Sequence, residues 1–546
     1  MKKLILGLTL LLALVIPAAA QTPSPTQDTA FTVLHEFYAA RNYKPVWTRG
    51  EKFNNKAQDL PRILMDGREH GMDPNAFGVE RMAKVLSEEK PDGPNAWKQA
   101  ELFWTFNVWE YASALAGMPV DAATLESVIT GDVKDNLAQL APDNTLYKAL
   151  QGRLAEADRL LATGADQSLA TFNFNKNLFK PGMSHAQVPE LRALMVAFGA
   201  FDGLPADSPE GSERVYDPQL AKAVGRFQNE YGLKNDGSIG PVTLQILNRD
   251  PFTERQQIVA NLQRLREPHR RLREDKRIDV SIARYRLSGF EGGREVLSMP
   301  VIVGKPARQT ISFRTEIAGI RLNPTWTVPP TIKKQDFIPQ LLTDPSKLVR
   351  KYGVKVVHAG QTVDPNLVNW NNLTPRELAQ VKFWQPAGDG NALGRYRVIM
   401  ENPYDIYLHD TNHPELFELS MRAQSSGCVR VARPDELAAF ILNGKQGWEA
   451  QKTADILKKG RTTDVVIENK IPIYLDYMTA WFNDRGQLIL GMDVYGLDKP
   501  RYDVLVKNGL TTQRNAHRIL SRVTDILEPE LKEAYNREAV ITPTAN

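Results

Sequence analysis

The 546-residue sequence predicts a multidomain α+β protein. A helical N-terminal part leads into a compact three-helix module and then a mixed β sandwich or barrel-like domain, taken as a sandwich, with a helical insertion. Three observations predict this. Apolar residues recur at helical spacing from Ala30 to about residue 182. From Arg277 the period changes to two, in short runs bounded by Gly, Pro and Asn. Between residues 330 and 400 that alternation stops and helical segments return.

The chain opens with Met1-Lys2-Lys3, a short basic stretch, and an apolar run from Leu4 to Ile16 broken only by Gly7 and Thr9. Pro17 and Ala18-Ala19-Ala20 follow. The run is well short of the roughly 20 residues a membrane span needs, so residues 1–20 read as a cleaved secretory signal. The mature chain is expected to start at Gln21, with a loose QTPSPTQD linker, and to be exported to a bacterial periplasm without an integral membrane segment.

Composition sets bounds without naming a function. Removing Lys2 and Lys3 with the signal takes two charges from a formal net charge of +4, which implies no nucleic acid or other polyanion partner. Hydrophobic residues at 42% and charged residues at 24% are ordinary for a globular protein. The length implies three or four domains at about 150 residues each.

The expected organisation is a helical scaffold over residues 21–182, a module over 183–250, a β domain over 277–498 with its insertion at 330–400, and a C-terminal helical extension over 499–546. In the scaffold, FTVLHEFYAARNYKPVW is helical up to Tyr43-Lys44-Pro45, KQAELFWTFNVWEYASALAG is a strongly apolar helix, and residues 145–162 are amphipathic. His35 and His70 stand alone and read as surface or packing residues. In the module, Leu191, Leu194, Met195 and Phe198 share one helix face. Asp217 is an N-cap with Pro218 at the first helical position, and Leu220, Val224 and Phe227 form the next stripe. Gly232 ends that helix and NDGSIGPVTLQIL supplies a turn and a third helix. This order resembles the peptidoglycan-binding module of bacterial wall enzymes over residues 183–247.

In the β domain, RIDVSIARYRL, REVLSMPVIVG, TEIAGIRLNPTWTVP, DIYLHD and TDVVIENKIPIYLDYMTAWF read as strands, with Asn483-Asp484-Arg485-Gly486 as a hairpin turn. Pro434, Asp435 and Glu436 suit a first helical turn, Leu437, Phe440 and Ile441 its buried face, and Gly444 its end. Within the insertion, DFIPQLLTDPSKLVRKYG is helical, and Thr374, Pro375 and Glu377 form a capping box. An insertion of this length, ending just before the chemistry, reads as a lid.

Cys428, in SSGCVR, is the only cysteine. In an oxidising compartment structural cysteines come in pairs, so an odd one is a candidate reactive thiol; an inert core cysteine is the alternative, and counting leaves both open. The thiolate is the nucleophile, so activation calls for a nearby base or cation. On the strand DIYLHDT, Tyr407 and His409 share a face, and His409 lies 19 residues before Cys428. That spacing lets a strand end, a loop turn and the cysteine return beside it. Gly427 permits close backbone approach, and N–H groups near Gly427 and Cys428 could form an oxyanion hole. Arg430 either holds a substrate carboxylate or fixes the loop, and its residue type does not choose between them. His409 and His413 are four apart, but HDTNHP runs into a proline with no helical context, so no metal is assigned. His413, His185, His269, His358 and His517 read as loop, surface or structural residues, and no cofactor is implied.

YLHDT followed by SSGCVRV resembles the L,D-transpeptidase family, as do VGKPARQT at 303–310, NPTWTVPPTI at 323–332 and QPAGDGNALGRYRV at 385–398. The order of segments is similar to the large periplasmic branch of that family. Many members carry histidine two residues before the cysteine, where this chain has Ser426, which places the base on His409. The resemblance implies Cys428 as nucleophile, His409 as proton acceptor and donor, and a main-chain carbonyl near Asp410 orienting the imidazole. Gly427, Ser426, Arg430 and Tyr407 are the expected oxyanion and substrate residues. It further implies a tetrapeptide stem as donor, a diaminopimelate amine as acceptor, a 3→3 cross-link as product and carbapenem β-lactams as inhibitors. An L,D-carboxypeptidase, with water as acceptor, is the alternative.

Overall fold

The computed structural model describes residues 27–88, 91, 96–163, 171–174, 178–204, 209–231, 233–268, 273–445 and 447–507. The expected signal peptide, Gly232, His269, His517 and all of the C-terminal extension beyond residue 507 lie outside the described residues; residues 498–507 are helical. Among the described residues no helix is long and apolar enough to cross a membrane.

The N-terminal part is helical, as its periodicity predicts. Helices α1 (Gln27–Ala40), α2 (Asn55–Leu64), α3 (Val79–Ser87), α4 (Ala96–Ala116), α5 (Ala122–Thr130) and α6 (Val133–Ala138) enclose one apolar core, and α7 (Thr145–Thr163) follows. Helix α4 is central and carries a buried carboxylate. Glu101 accepts hydrogen bonds from the Val46 and Trp47 N–H groups and from the Thr48 and Tyr38 hydroxyls. A buried carboxyl group so bonded ties the 46–48 turn to the helix, while burial pushes its pKa up.

Helices α8 (Val188–Ala197), α9 (Pro218–Glu230) and α10 (Pro241–Leu247) form the three-helix module around Leu191, Met195, Leu220 and Val224. Asp217 caps α9 by accepting from the Gln219 and Leu220 N–H groups. The FQ…DG order has a physical reason. Gln228 accepts from the Gly237 N–H at 2.9 Å and donates to Ser238 O at 2.8 Å, fastening the loop to α9. Gly237 has φ +64, and a Cβ there would lie 2.4 Å from Ala221 O.

Helix α11 (Pro251–Arg266), absent from the sequence expectations, connects the module to the β domain. It is buried on nearly every side and lined with polar groups. Gln257 donates to Thr479 O and Gly491 O, and Arg264 pairs with Asp498 at 2.5 Å, both side chains almost fully buried.

The β domain runs β1 (Arg277–Ser281), β2 (Arg286–Glu291), β3 (Arg294–Gly304), β4 (Phe313–Leu322), β5 (Trp326–Thr327), β6 (Lys355–His358), β7 (Gln361–Val363), β8 (Lys382–Gln385), β9 (Tyr396–Met400), β10 (Leu408–His409), β11 (Ala423–Ser425), β12 (Val429–Val431), β13 (Thr463–Asp476), β14 (Ala480–Phe482) and β15 (Leu488–Leu490). The order β11-β3-β12-β10-β9-β4-β13-β1-β2, with β2 also paired to β3, closes the sheet on itself. This corrects the expected sandwich to a barrel. The long strand β3 makes closure possible, pairing first with β2, then β12, then β11. Closure leaves no edge among its ring of strands to protect.

The insertion is not purely helical. It holds α12 (Pro330–Ile332), a π-helical turn (Lys333–Phe337), α13 (Ile338–Thr343), α14 (Pro345–Tyr352) and α15 (Pro375–Gln380) beside the four-stranded sheet β5-β8-β6-β7. The β6–β7 hairpin turns on Ala359 and Gly360, both at positive φ, in strands too short for a period of two to register. The capping box at Thr374 and Glu377 is present. Phe337, Leu341, Leu348, Val356, Trp370 and Phe383 give the insertion its own core. Outside it, α16 (Pro434–Leu442) buries Leu437, Phe440 and Ile441 as expected, and α17 (Ala450–Lys459) follows. Hairpin β14–β15 packs on α7 and α11 rather than joining the barrel.

Candidate active site

Parallel pairing of β10 with β12 matches Leu408 with Val429 and His409 with Arg430, while β9 places Arg397 across from His409. Residues in register share a face of the sheet, and alternation decides which. Leu408, Val429, Val431 and Val398 fill the barrel core. Tyr407, His409, Arg397 and Arg430 therefore stand on the opposite face, and Cys428, two residues before Arg430, joins them at the strand start. The register thus places Tyr407, His409, Cys428 and Arg430, four of the residues singled out in the sequence, on one face.

The nucleophile turn is built by its neighbours. Ser425 Oγ donates to Cys428 O at 2.6 Å and accepts from the Gly427 N–H at 3.1 Å, while Thr310 Oγ1 donates to Gly427 O at 2.7 Å. Gly427 has φ +122, and this is why glycine is needed: a Cβ would meet nothing closer than Gln309 O at 3.6 Å. The reason is conformation, not the close approach that sequence reasoning expected. The expected oxyanion role of Gly427 also meets a different geometry, since its N–H is already held by Ser425. The Cys428 N–H makes no hydrogen bond among the described residues. Ser426 is exposed and its Oγ accepts from Arg308 at 3.0 Å.

Cys428 is half-buried, and its thiol faces Asp405 O at 3.7 Å. Asp405 has φ +54, rare for a residue with a side chain, in a turn held by Asn402 Oδ1 accepting from the Tyr404 and Ile406 N–H groups. Burial pushes the thiol pKa up. The Tyr407 N–H, Arg397, the Tyr407 hydroxyl and Arg430 oppose this without cancelling it. His409, 6% exposed, is pushed the other way, down to about 3, first by burial and then by Arg430, against a raising hydrogen bond with Asp410 O. Its Nδ1 lies 2.5 Å from that carbonyl. A neutral imidazole there donates from Nδ1, which leaves Nε2 as a free acceptor. Asp410 is itself fixed, its carboxylate accepting from the Arg395 and Thr411 N–H groups at 2.7 and 2.6 Å.

Two arginines complete the face. Arg397 lies over the Tyr407 ring at 4.3 Å, and the Nε atoms of Arg397 and Arg430 are buried with no hydrogen-bond partner among the described residues. Arg321, next along the ladder, is occupied by Asp464. Guanidinium Nε atoms that are buried without an acceptor beside a neutral histidine suit an anionic ligand. Arg397 was missed in the sequence, where it lies inside a strand pattern; its signal was the alternation that puts it opposite Val398. His413 is exposed with Glu415, His358 packs on Trp370, His185 on Phe174, and His70 bonds Tyr147, so none joins the site.

Similarity to known proteins follows the same segments. Residues 275–467 match an "L,D-transpeptidase catalytic domain", residues 184–247 a "Putative peptidoglycan binding domain" and residues 32–131 a "Scaffold domain". A protein of Haemophilus influenzae named "Putative L,D-transpeptidase" is 33% identical over 222 residues, which are 41% of this chain and 44% of that protein. Two crystal structures of L,D-transpeptidases also align. One, from Stackebrandtia nassauensis, has 11% identity, a TM-score of 0.21, and coverage of 56% of this chain and 97% of the other. The second, from Xylanimonas cellulosilytica, has 15% identity, a TM-score of 0.15, and coverage of 56% and 100%. Superpositions that weak add nothing to the sequence matches. The barrel that carries Cys428 and His409 thus matches an L,D-transpeptidase catalytic domain, in a chain whose other segments match a peptidoglycan-binding domain and a scaffold domain.

Proposed function

We propose that the protein is a periplasmic acyltransferase that forms 3→3 cross-links between peptidoglycan stem peptides through a thioester on Cys428. The observation that carries this reading is His409, held neutral with Nδ1 on the Asp410 carbonyl, on the same sheet face as the only thiol. In the proposed reaction Cys428 attacks the carbonyl of diaminopimelate in a tetrapeptide stem while His409 Nε2 takes the thiol proton. The C–N bond to D-alanine breaks, and the proton passes to its amine. The side-chain amine of a second stem then attacks the thioester; His409 takes the amine proton and passes it to the departing sulfur as the C–S bond breaks, restoring the Cys428 thiol. Arg430 and Arg397 hold carboxylates of the stem, and the Cys428 N–H faces the developing oxyanion. The insertion covers the bound peptide and keeps water out. Water in place of the amine would give a carboxypeptidase.

Incubation of purified protein with disaccharide-tetrapeptide, followed by separation of products, tests the reading. Cross-linked dimers support transfer, and tripeptide alone would replace it with hydrolysis. Cys428→Ala should abolish both, and His409→Ala should cost at least about 100-fold. A carbapenem should leave one covalent adduct, located at Cys428; an adduct on Ser425 or Ser426 would refute the thiol as nucleophile.

A further inference from the structure

The loop between β3 and β4 touches both the nucleophile turn and the insertion. On one side Lys305 N–H donates to Ser425 O at 2.9 Å, and Thr310 Oγ1 receives the Gly304 N–H at 2.9 Å while donating to Gly427 O. The loop is tight, because a Cβ on Gly304 would lie 2.1 Å from Arg308 O. Tyr495 braces it from behind, its hydroxyl accepting from Thr310 N–H at 3.1 Å and donating to Gly304 O at 2.7 Å. On the other side Arg308 reaches the insertion. Its guanidinium forks onto Asp336 at 2.5 and 2.7 Å, and its Nε donates to Gln335 Oε1 at 2.8 Å. The same Nη1 donates to Ser426 Oγ at 3.0 Å.

Gln335 and Asp336 lie in the π-helical turn of the insertion, and Phe337, next in the chain, is buried in the insertion's own core. Displacement of the insertion therefore displaces Asp336. π-Turns hold side chains off the ordinary helical register. A bidentate guanidinium–carboxylate pair transmits orientation as well as charge, which a lysine would not.

We infer that Arg308 is a positioning residue, which couples seating of the insertion on the barrel to placement of the Cys428 turn through Asp336 on one side and Ser426 on the other. An insertion that merely covered substrate would need no ion pair to the arginine that bonds the residue two places before the nucleophile. With this link, the turn carrying the thiol is in register only while the insertion is docked.

The kinetic readout rests on the acyl-transfer reading above; the labelling readout does not. The test is a double-mutant cycle on the full-length protein with Arg308→Ala, Asp336→Asn and the pair. Transfer kcat and KM on disaccharide-tetrapeptide are measured, together with the rate of Cys428 alkylation by iodoacetamide. Each single variant should lower kcat by roughly 10- to 100-fold, as small misplacements of reacting groups do, with KM changed far less. The pair should be no worse than Arg308→Ala alone, because both remove one link. Arg308→Lys should recover only a minor part of the loss, and Ser426→Ala should reproduce part of it. Alkylation rates should shift about threefold or more, with the same lack of additivity. Losses that multiply in the pair, a change in KM alone, or alkylation rates equal to wild type would overturn the coupling. If Arg308→Ala does not fold, as a melting curve would show, Asp336→Asn and Ser426→Ala complete the cycle at partly exposed positions. A wild-type protein that transfers no peptide would defeat the acyl-transfer reading, and the alkylation cycle would still decide the coupling.

Discussion

The environment of Cys428 and His409 predicts a resting thiol and a neutral imidazole, not a thiolate–imidazolium pair, and a pH titration separates the two. His409 has a pKa of about 3 and the thiol one above its ordinary value of 9.0. At pH 7 the imidazolium form is then about one part in ten thousand and the thiolate at most about one in a hundred. Alkylation of Cys428 by iodoacetamide, followed by intact mass between pH 4 and 10, should rise about tenfold per pH unit up to pH 9, with no plateau at lower pH. A pair of the opposite kind would hold the rate flat from about pH 4 to 8. His409→Ala should leave this profile nearly unchanged while removing transfer, because the imidazole acts only when the thiol proton must move. The acid limb of kcat/KM, which reports groups of the free enzyme, should lie below pH 5 rather than near 6.5. A plateau in alkylation near neutrality, or an inflection close to pH 6.5 that vanishes in His409→Ala, would refute this reasoning.

Other consequences are open to measurement. His70 is held at about 4 and His409 at about 3, both chiefly by burial. These folded values lie below the unfolded value, so the unfolded chain binds more protons between about pH 4 and 6.5. Stability is fully present above 6.5 and falls as pH drops, by up to about 1.4 kcal/mol per unit for each histidine. Urea melts at pH 4.5, 5.5 and 7 should show this, with a shallower dependence in His70→Gln. Asp498→Ala should cost about 3–5 kcal/mol, since it leaves Arg264 buried without its partner; an unshifted urea midpoint would contradict this. Gly394→Ala would put a Cβ 2.2 Å from Asp410 Oδ2 at φ +58. It should lower kcat by roughly tenfold or more through the misplaced His409, while Cys428 alkylation stays at the wild-type rate.

Much of this architecture is legible in local pattern. The helices around Leu191 and Leu220, the cap at Asp217, the box at Thr374 and the helix after Pro434 each announce themselves because one face is apolar and one end is capped. Helix α11 does not, and the reason is physical. It is enclosed on nearly every side and satisfies Gln257, Asn261 and Arg264 with partners more than 200 residues away, so polar residues occupy positions that periodicity reads as solvent. Hairpin β14–β15 is legible as a hairpin through Asn483 and Gly486, but its neighbours α7 and α11 are set by tertiary packing. Barrel closure depends on β3 being long enough to serve three partners, a property of register and not of composition.

The site divides along the same line. Cys428 and His409 stand out because their residue types are scarce and their spacing fits a strand, a loop and a return. The groups that give them their chemistry are ordinary. Asp410 acts through its carbonyl, which any residue possesses, so only the bonds from Arg395 and Thr411 N–H reveal why it is aspartate. Arg397 and Arg430 are two among 68 basic residues, and what marks them is a buried Nε without an acceptor on the sheet face that carries His409, a fact of three-dimensional surroundings. Arg308 carries the same lesson in reverse. It has more acceptors than a surface arginine needs, drawn from the insertion and from the nucleophile turn, two segments 90 residues apart. A chain that orders both with one guanidinium makes the docking of its insertion and the placement of its thiol a single event.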